Sequence, residues 1–196
     1  MSGVRNPHRP QYLFAQENSY AQLMESEKLL KHMAWANSEI LAKVALMPDE
    51  ALDTFSTDSE WTAKEIINHI VTSAYFYGLR LQTETMEDLA RVEKLRGEAL
   101  SKELILEKTS ELQPFIDSLK TSDAVLLQES YKPEGLVLRE IEGKLIKRAR
   151  STIIFQSVHH ATEHRAQLVD ALNSGAFTGI NLDDYDLWAY VDKFGE

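Results

Sequence analysis

His160-Ala-Thr-Glu-His164-Arg-Ala-Gln167 is the stretch of sequence that says most about both fold and function. Residues four apart lie on the same face of an α-helix, so the His160 and His164 side chains stand on successive turns. Neutral imidazoles bind zinc and related divalent metals at about 2 Å, and two on successive turns can bind one ion. The stretch therefore predicts a helix that carries two ligands of a metal site.

The helix that contains this motif is predicted to extend from about Arg150 to Asn173. It should end at Ser174-Gly175, where glycine suits a left-handed backbone. At about 100° per residue from His160, the apolar positions cover roughly 20° to 120°, and His164 lies near 40° on their flank. These apolar positions are Ile153, Ile154, Ala161, Leu168, Ala171 and Leu172. His159, near -100° by the same count, should point to solvent.

Three earlier helices are predicted from the same apolar period. The first extends from Ser19 to just before Pro48, the second begins near Ser59, and the third begins at Ser101, where nearby Glu103 helps to cap it. The core positions are Leu23, Leu30, Met33, Ile40 and Val44 in the first, with Asn37 as a polar interruption; Ala63, Ile66, Ile67, Ile70, Ala74, Gly78 and Leu81 in the second; and Ile105, Leu112, Phe115, Ile116 and Leu119 in the third.

Four helices predict an all-α chain that folds as a four-helix bundle over residues 19–175. The charged segment 85–97 should be helical in part. Residues 123–147 contain Lys-Pro-Glu-Gly and Glu-Gly turns between short apolar runs, which predicts a short hairpin or a long irregular crossover between the third and fourth helices. Residues 1–18 are interpreted as a flexible arm, and the aromatic and acidic tail, 176–196, as packing on the bundle.

Composition limits the function classes. A chain of 196 residues with 43% hydrophobic content can bury a core without a structural metal, so a bound metal would be functional. Cysteine is absent, so metal ligands must be His, Asp or Glu. The absence of disulfides also agrees with a cytoplasmic location. The net charge of -10 argues against nucleic acid as a partner. No signal peptide and no apolar run of about 18 residues are evident, so we expect no membrane association.

A third histidine completes the predicted metal site. On the second helix the apolar stripe is centred near 110° from His69, so His69 lies on the flank of that stripe. His160 and His164 have the same position relative to the apolar face of the fourth helix. If the two helices are neighbours, the three imidazoles can converge on one ion at the rim of the core and leave coordination positions for water or substrate. We interpret His8 and His32 as surface or packing residues.

Two alternatives to this site stay open. A His pair at this spacing also arises by chance, in which case the histidines are ordinary polar groups at a helix interface. His160-Ala-Thr-Glu163-His164 also matches the H-x-x-E-H signature of inverted zinc proteases. Those enzymes take a further Glu ligand from a downstream helix, and Glu196 is the only Glu after His164.

Arg165 lies near 140°, inside the apolar arc, where its guanidinium needs a partner to offset the loss of water. We expect it to bind the acidic tail through Asp183, Asp184 or Asp186, or a dimer partner, or else to extend to the surface.

The segment Trp61-Thr-Ala-Lys-Glu-Ile-Ile-Asn-His69, taken with His160-x-x-x-His164-Arg-Ala-Gln167, resembles the DinB superfamily of metal-binding four-helix bundles. Trp35-Ala-Asn37 and Leu46-Met-Pro-Asp-Glu50 are similar to the same family, and the likeness spans about 20–175. It implies one divalent metal on His69, His160 and His164, an up-down-down-up bundle and a homodimer. Many members have Gly where this chain has Ala166, on the polar face, so we expect little effect on ligation.

Three neutral imidazoles leave the ion its full positive charge, so a bound water or thiol becomes a nucleophile near neutral pH. The first hypothesis is therefore a metal-dependent transferase or hydrolase that activates a small-molecule thiol or water; relatives in the family include thiol transferases and a thiol-dependent isomerase. Zinc or nickel is expected, with iron as a further candidate. Glu163 is a candidate for proton transfer, although it lies about 80° from the midpoint of the ligand pair. The second hypothesis is a non-catalytic metal-binding or stress-associated bundle.

Overall fold

A computed structural model describes the backbone of residues 11–100 and 105–195 and the side chains of 26–100 and 105–195. The described chain is mostly helical, as predicted. Its helices are α1 (Gln11–Val44), α2 (Ala63–Arg80), α3 (Met86–Leu100), α4 (Leu112–Ser130), α5 (Arg150–Ser174) and α6 (Leu187–Phe194), and its strands are β1 (Leu136–Ile141) and β2 (Lys144–Ala149). Short 3-10 turns lie at Asp49–Asp53, Thr109–Glu111 and Leu182–Tyr185.

Helices α4 and α5 each pack against both α1 and α2, so α2 and α5 are neighbours, as the predicted site requires. Their apolar faces meet in a continuous core that also includes the 3-10 turn after α1. Its largest fully buried side chains include Ile40, Leu41, Leu52, Ile66, Ile67, Leu112, Leu119 and Leu168. Among the described residues, no helix combines the length and the apolar character needed to cross a membrane.

Helix α1 begins earlier than predicted, and helix α2 begins at a side-chain cap. Helix α1 begins at Gln11 rather than at Ser19, so residues 11–18 are helical and not part of an arm. Residues 1–10, including His8, lie outside the described part of the chain, and the Leu23 side chain does too. Helix α2 begins after Thr62, whose hydroxyl accepts a hydrogen bond from the backbone N–H of Glu65.

The third predicted helix begins later than expected. Helix α4 begins at Leu112, and the side chain of Ile105 in the segment before it is 79% exposed, so that predicted core position is wrong. The other four predicted core residues of this helix are buried. A tertiary contact sets the start: Thr109 donates from its backbone N–H and its hydroxyl to Asp49 Oδ1, at 2.9 Å each. The predicted cap at Ser101 and Glu103 lies outside the described residues.

The segment before α5 contains the predicted hairpin, and β1 pairs with β2 in antiparallel register. Glu142 and Gly143, with φ of 50° and 73°, form its tight turn, since both turn residues of such hairpins adopt positive φ. Thr83, just after α2, anchors β1: its carbonyl accepts from Leu138 N at 2.7 Å, and its hydroxyl donates to Leu138 O at 2.6 Å. The hairpin therefore lies at the C-terminal end of α2.

Gly175 ends α5 for a different reason from the predicted one. Its φ is -86°, and the left-handed residue is Ala176, at 68°. A Cβ atom on residue 175 would lie 2.2 Å from Thr54 Cγ2, which is inside contact distance. Glycine is needed here because the helix end approaches Thr54 closely.

Candidate metal centre

His69 on α2 and His160 and His164 on α5 meet at the seam between the two helices. His160 Nε2 lies 3.1 Å from His69 Nε2 and 3.1 Å from His164 Nε2, and the three ligand atoms all lie within 4.8 Å of one another. Nitrogen ligands at about 2.0–2.1 Å from a tetrahedral ion stand roughly 3.3 Å apart. The cluster therefore has the geometry to bind one metal ion.

The cluster lies at the rim of the core. His164 is buried, whereas His69 and His160 are half-buried, so two of the three rings are partly accessible to solvent. His159, the neighbour of His160, is exposed, as predicted. His32 lies apart from the cluster: it is buried, and its Nε2 is 2.9 Å from the carbonyl oxygen of Tyr185, so it packs the core against the tail.

Gln167 orients one of the three rings. Trp61 donates its indole N–H to Gln167 Oε1 at 3.1 Å, and the same oxygen is 2.7 Å from His164 Nδ1. Because an indole N–H can only donate, the amide atom between them is an acceptor, and His164 Nδ1 must carry the hydrogen. The Nε2 lone pair of His164 is then free to face a metal.

Burial favours the neutral form of His69 and His160. Desolvation is the main cause that lowers the pKa of His69, and the nearby His164 lowers it further. The pKa of His160 falls to about 4, first through desolvation and then through the charges of His164, His69 and Arg80. At neutral pH both rings therefore offer lone pairs rather than protons.

Aromatic and hydroxyl side chains surround the three rings. The Trp61 ring lies edge-on to His69 and His164, with centroids 5.3 and 5.9 Å apart. On the other side, Ser73 Oγ is 3.4 Å from His69 Nε2, and the Tyr77 ring centroid is 5.4 Å from that of His160. Ser73 and Tyr77 were not predicted from the sequence, although they follow His69 at intervals of four and so share its helical face.

Glu163 is exposed, and no hydrogen bond or ion pair among the described residues links it to the histidines. Its position gives no support to a role in proton transfer. The zinc-protease interpretation has the same difficulty, since it needs that carboxylate beside the ion.

A sequence model of the DinB family matches residues 17–186, a span that includes the three histidines, Trp61 and Gln167. The chain belongs to the DinB family. Comparisons with curated proteins and with solved structures gave no match. Membership of the DinB family and the three-histidine cluster are together compatible with a metal-dependent function.

Arg165, next to His164 in this DinB-family chain, neither contacts the tail nor extends to the surface. It is 4% exposed, its Nη1 donates to Asn37 Oδ1 at 2.8 Å, and its Nη2 donates to Thr162 Oγ1 at 3.0 Å. The predicted contacts with Asp183, Asp184 or Asp186 and the predicted surface position are therefore wrong. The sequence did contain a sign of this hydrogen bond, because Asn37 and Arg165 are both polar residues on apolar helical faces.

Proposed function

We propose that this DinB-family protein is a metal-dependent enzyme whose His69, His160 and His164 hold one divalent metal, zinc or nickel, with iron as a further candidate. The convergence of the three Nε2 atoms, with two of the rings partly accessible to solvent, carries this proposal. When bound, the metal would lower the pKa of a coordinated thiol or water and so supply a nucleophile for transfer or hydrolysis on a small molecule.

The side chains around the site have separate parts in this function. His69 and His160 stay neutral because burial lowers their pKa values, and Gln167 holds the His164 Nδ1–H so that Nε2 faces the ion. The Trp61 ring covers one side and excludes water there. The Ser73 hydroxyl, close to His69, can hydrogen-bond a substrate, and the Tyr77 ring packs against His160.

We also propose that α1, α2, α4 and α5 form the up-down-down-up four-helix bundle that the family resemblance implies. The packing of α4 and α5 against both α1 and α2 supports this arrangement. The homodimer and the cytoplasmic location stay predictions.

A thiol-transfer assay tests the proposed function. The zinc- or nickel-loaded full chain is mixed with a panel of low-molecular-weight thiols and an aryl halide, so that thiolate displaces halide and a thioether forms. We expect metal-dependent thioether formation that the His69→Ala variant loses and the His159→Ala variant keeps, because only His69 belongs to the cluster. A protein that binds metal but neither transfers any of the thiols nor hydrolyses activated esters would favour the non-catalytic metal-binding bundle instead.

A further inference from the structure

Two arginines near the histidine cluster lack a carboxylate partner in the part of the chain that the structure describes. Arg80 on α2 and Arg139 on β1 are both half-buried, and among the described residues neither guanidinium donates a hydrogen bond or pairs with a carboxylate. They line a single cleft with Arg96 of α3. Arg96 differs, because its Nη1 lies 3.7 Å from Glu93 Oε2. Glu93 lines the same cleft, so three arginines face one carboxylate there, an excess of two positive charges in a chain whose net charge is -10.

The two arginines lie next to the metal centre because of how α2 and β1 are placed. The Tyr77 ring faces His160 on one side, and Arg80 Cζ lies 5.4 Å from the same ring's centroid. Helical side chains lean toward the helix N-terminus, so Arg80, near the C-terminal end of α2, leans toward Tyr77 and the histidines. The hydrogen bonds between Thr83 and Leu138 fix β1 in register and so place the next residue, Arg139, at this cleft.

Two like charges in a partly buried cleft are costly without a counter-ion. Burial is the largest cause that lowers the pKa of Arg80, and the charges of Arg139 and Arg96 add to it, while Tyr77 and Glu93 offset only part of the effect. A guanidinium presents a planar set of donors that matches the oxygens of a carboxylate or phosphate, and pairs of this kind are often bidentate. An oxyanion in the cleft would therefore balance both charges and satisfy their donors.

We propose that the substrate of the metal centre carries an oxyanionic group, a carboxylate or a phosphate, which Arg80 and Arg139 bind beside Tyr77. This inference rests on the proposed function, because the arginines would bind the anionic end of the substrate while the metal centre acts on its reacting end. It makes the site selective for small acidic substrates over neutral ones.

Titration of the metal-free full chain with inorganic phosphate at constant ionic strength, followed by ³¹P NMR, tests the arginine site. We expect saturable binding that weakens by about tenfold or more in Arg80→Gln and in Arg139→Gln, because each loses charge-assisted hydrogen bonds. Arg80→Lys should fall between wild type and Arg80→Gln, since it keeps the charge but not the planar donors. Arg148→Gln makes the same charge change on the exposed part of β2 and should bind as the wild type does.

Cobalt then reports whether the phosphate lies near the histidines. In the Co²⁺-loaded protein we expect paramagnetic relaxation of the bound ³¹P nucleus, and His69→Ala should abolish it while phosphate affinity is kept. Phosphate binding that is unchanged in both arginine variants would overturn the inference, as would bound cobalt that leaves the ³¹P relaxation unaffected. Failure of cobalt to bind, with phosphate affinity still dependent on the arginines, would contradict the proposed function and leave only the oxyanion site.

Discussion

At the scale of single residues, the most consequential group outside the three histidines is the Gln167 side chain. Its Oε1 accepts from Trp61 and from His164, and so links the orientation of one imidazole to a tryptophan that also packs on His69. Hydrogen bonds to the outer nitrogen of a ligand fix its tautomer and raise its basicity. Gln167 is therefore a positioning residue for the proposed metal site.

The Gln167→Ala variant should bind metal about 10–100-fold more weakly than the wild type, because His164 loses the acceptor that holds its Nδ1–H. Competition with a chromogenic chelator measures this change in affinity. Gln128→Ala, an exposed site on α4, is the matched control and should keep wild-type affinity. Equal affinities for the two variants would show that Gln167 does not orient the ligand.

Asp123 is a buried carboxyl group without a hydrogen-bond partner among the described residues. It is 4% exposed. Burial raises its pKa from 3.8 to about 7, and the charge of Arg165 offsets part of that rise. In the folded chain Asp123 thus holds a proton over a pH range in which the unfolded chain has released it.

The Asp123→Asn variant should be more stable than the wild type at pH 8, where the native carboxyl must be ionised inside the bundle. A folded pKa above the unfolded one favours folding at low pH, and this contribution is lost as the pH rises through about 7. The advantage of the variant should therefore shrink between pH 8 and pH 5. Urea unfolding of both proteins at the two pH values measures it; an advantage that grows toward pH 5 would mean that the sign of the shift is wrong.

At the scale of elements, the apolar period predicted helices well where burial follows one face, and less well where tertiary contacts set the boundaries. The hairpin could be predicted because turn residues act locally, whereas the end of α5 was predicted at the right glycine for the wrong reason, since Gly175 is needed for its approach to Thr54. The hairpin or crossover was predicted to begin at residue 123, yet residues 123–130 belong to α4, because Leu126 continues its buried face. The start of α4 could not be predicted, since it depends on Asp49, far away in sequence.

Gly175→Ala tests the packing of the end of α5 against Thr54. The added methyl would lie 2.2 Å from Thr54 Cγ2, so we expect the free energy of unfolding to fall by about 1–3 kcal/mol. Gly97→Ala in α3 is the contrasting control: its Cβ would meet nothing within 4 Å, and it should stabilise the chain by about 0.5–1 kcal/mol. Chemical denaturation measures both values, and destabilisation by both would argue against a specific contact at Gly175.

At the scale of the whole molecule, the C-terminal segment packs on the side of α1 through aromatic rings. Tyr190 and Phe194 of α6 lie 5.7 and 6.0 Å from the Trp35 ring, measured between centroids, and Tyr185 lies 5.9 Å from it. His32 adds a hydrogen bond to the Tyr185 carbonyl. These contacts indicate that the tail contributes to the stability of the helical core.

Tyr190→Ala should lower the free energy of unfolding by about 3 kcal/mol, because it removes a large side chain that is only 7% exposed. Trp188→Ala, two residues earlier and 80% exposed, should change it by no more than about 0.5 kcal/mol. Thermal or urea unfolding compares the two. Similar, small effects would show that the tail does not stabilise the core.

The candidate site shows how far sequence reasoning reaches across the whole molecule. The positions of His69, His160 and His164 at the edges of apolar faces could be predicted, because helical geometry relates spacing to direction. The partner of Arg165 and the cleft of Arg80 and Arg139 could not, since they depend on how α1, α2 and β1 are placed in three dimensions. Helical faces are local properties, whereas partners across the core depend on the complete fold.

The metal content of untagged protein tests the central claim most directly. Elemental analysis should find about one equivalent of divalent metal in the wild type and in His159→Ala, whose imidazole is exposed, and little in His69→Ala or His160→Ala. Loss of metal in both cluster variants, with the fold intact by circular dichroism, is the result we predict. Full retention of metal in both would contradict a site shared by α2 and α5.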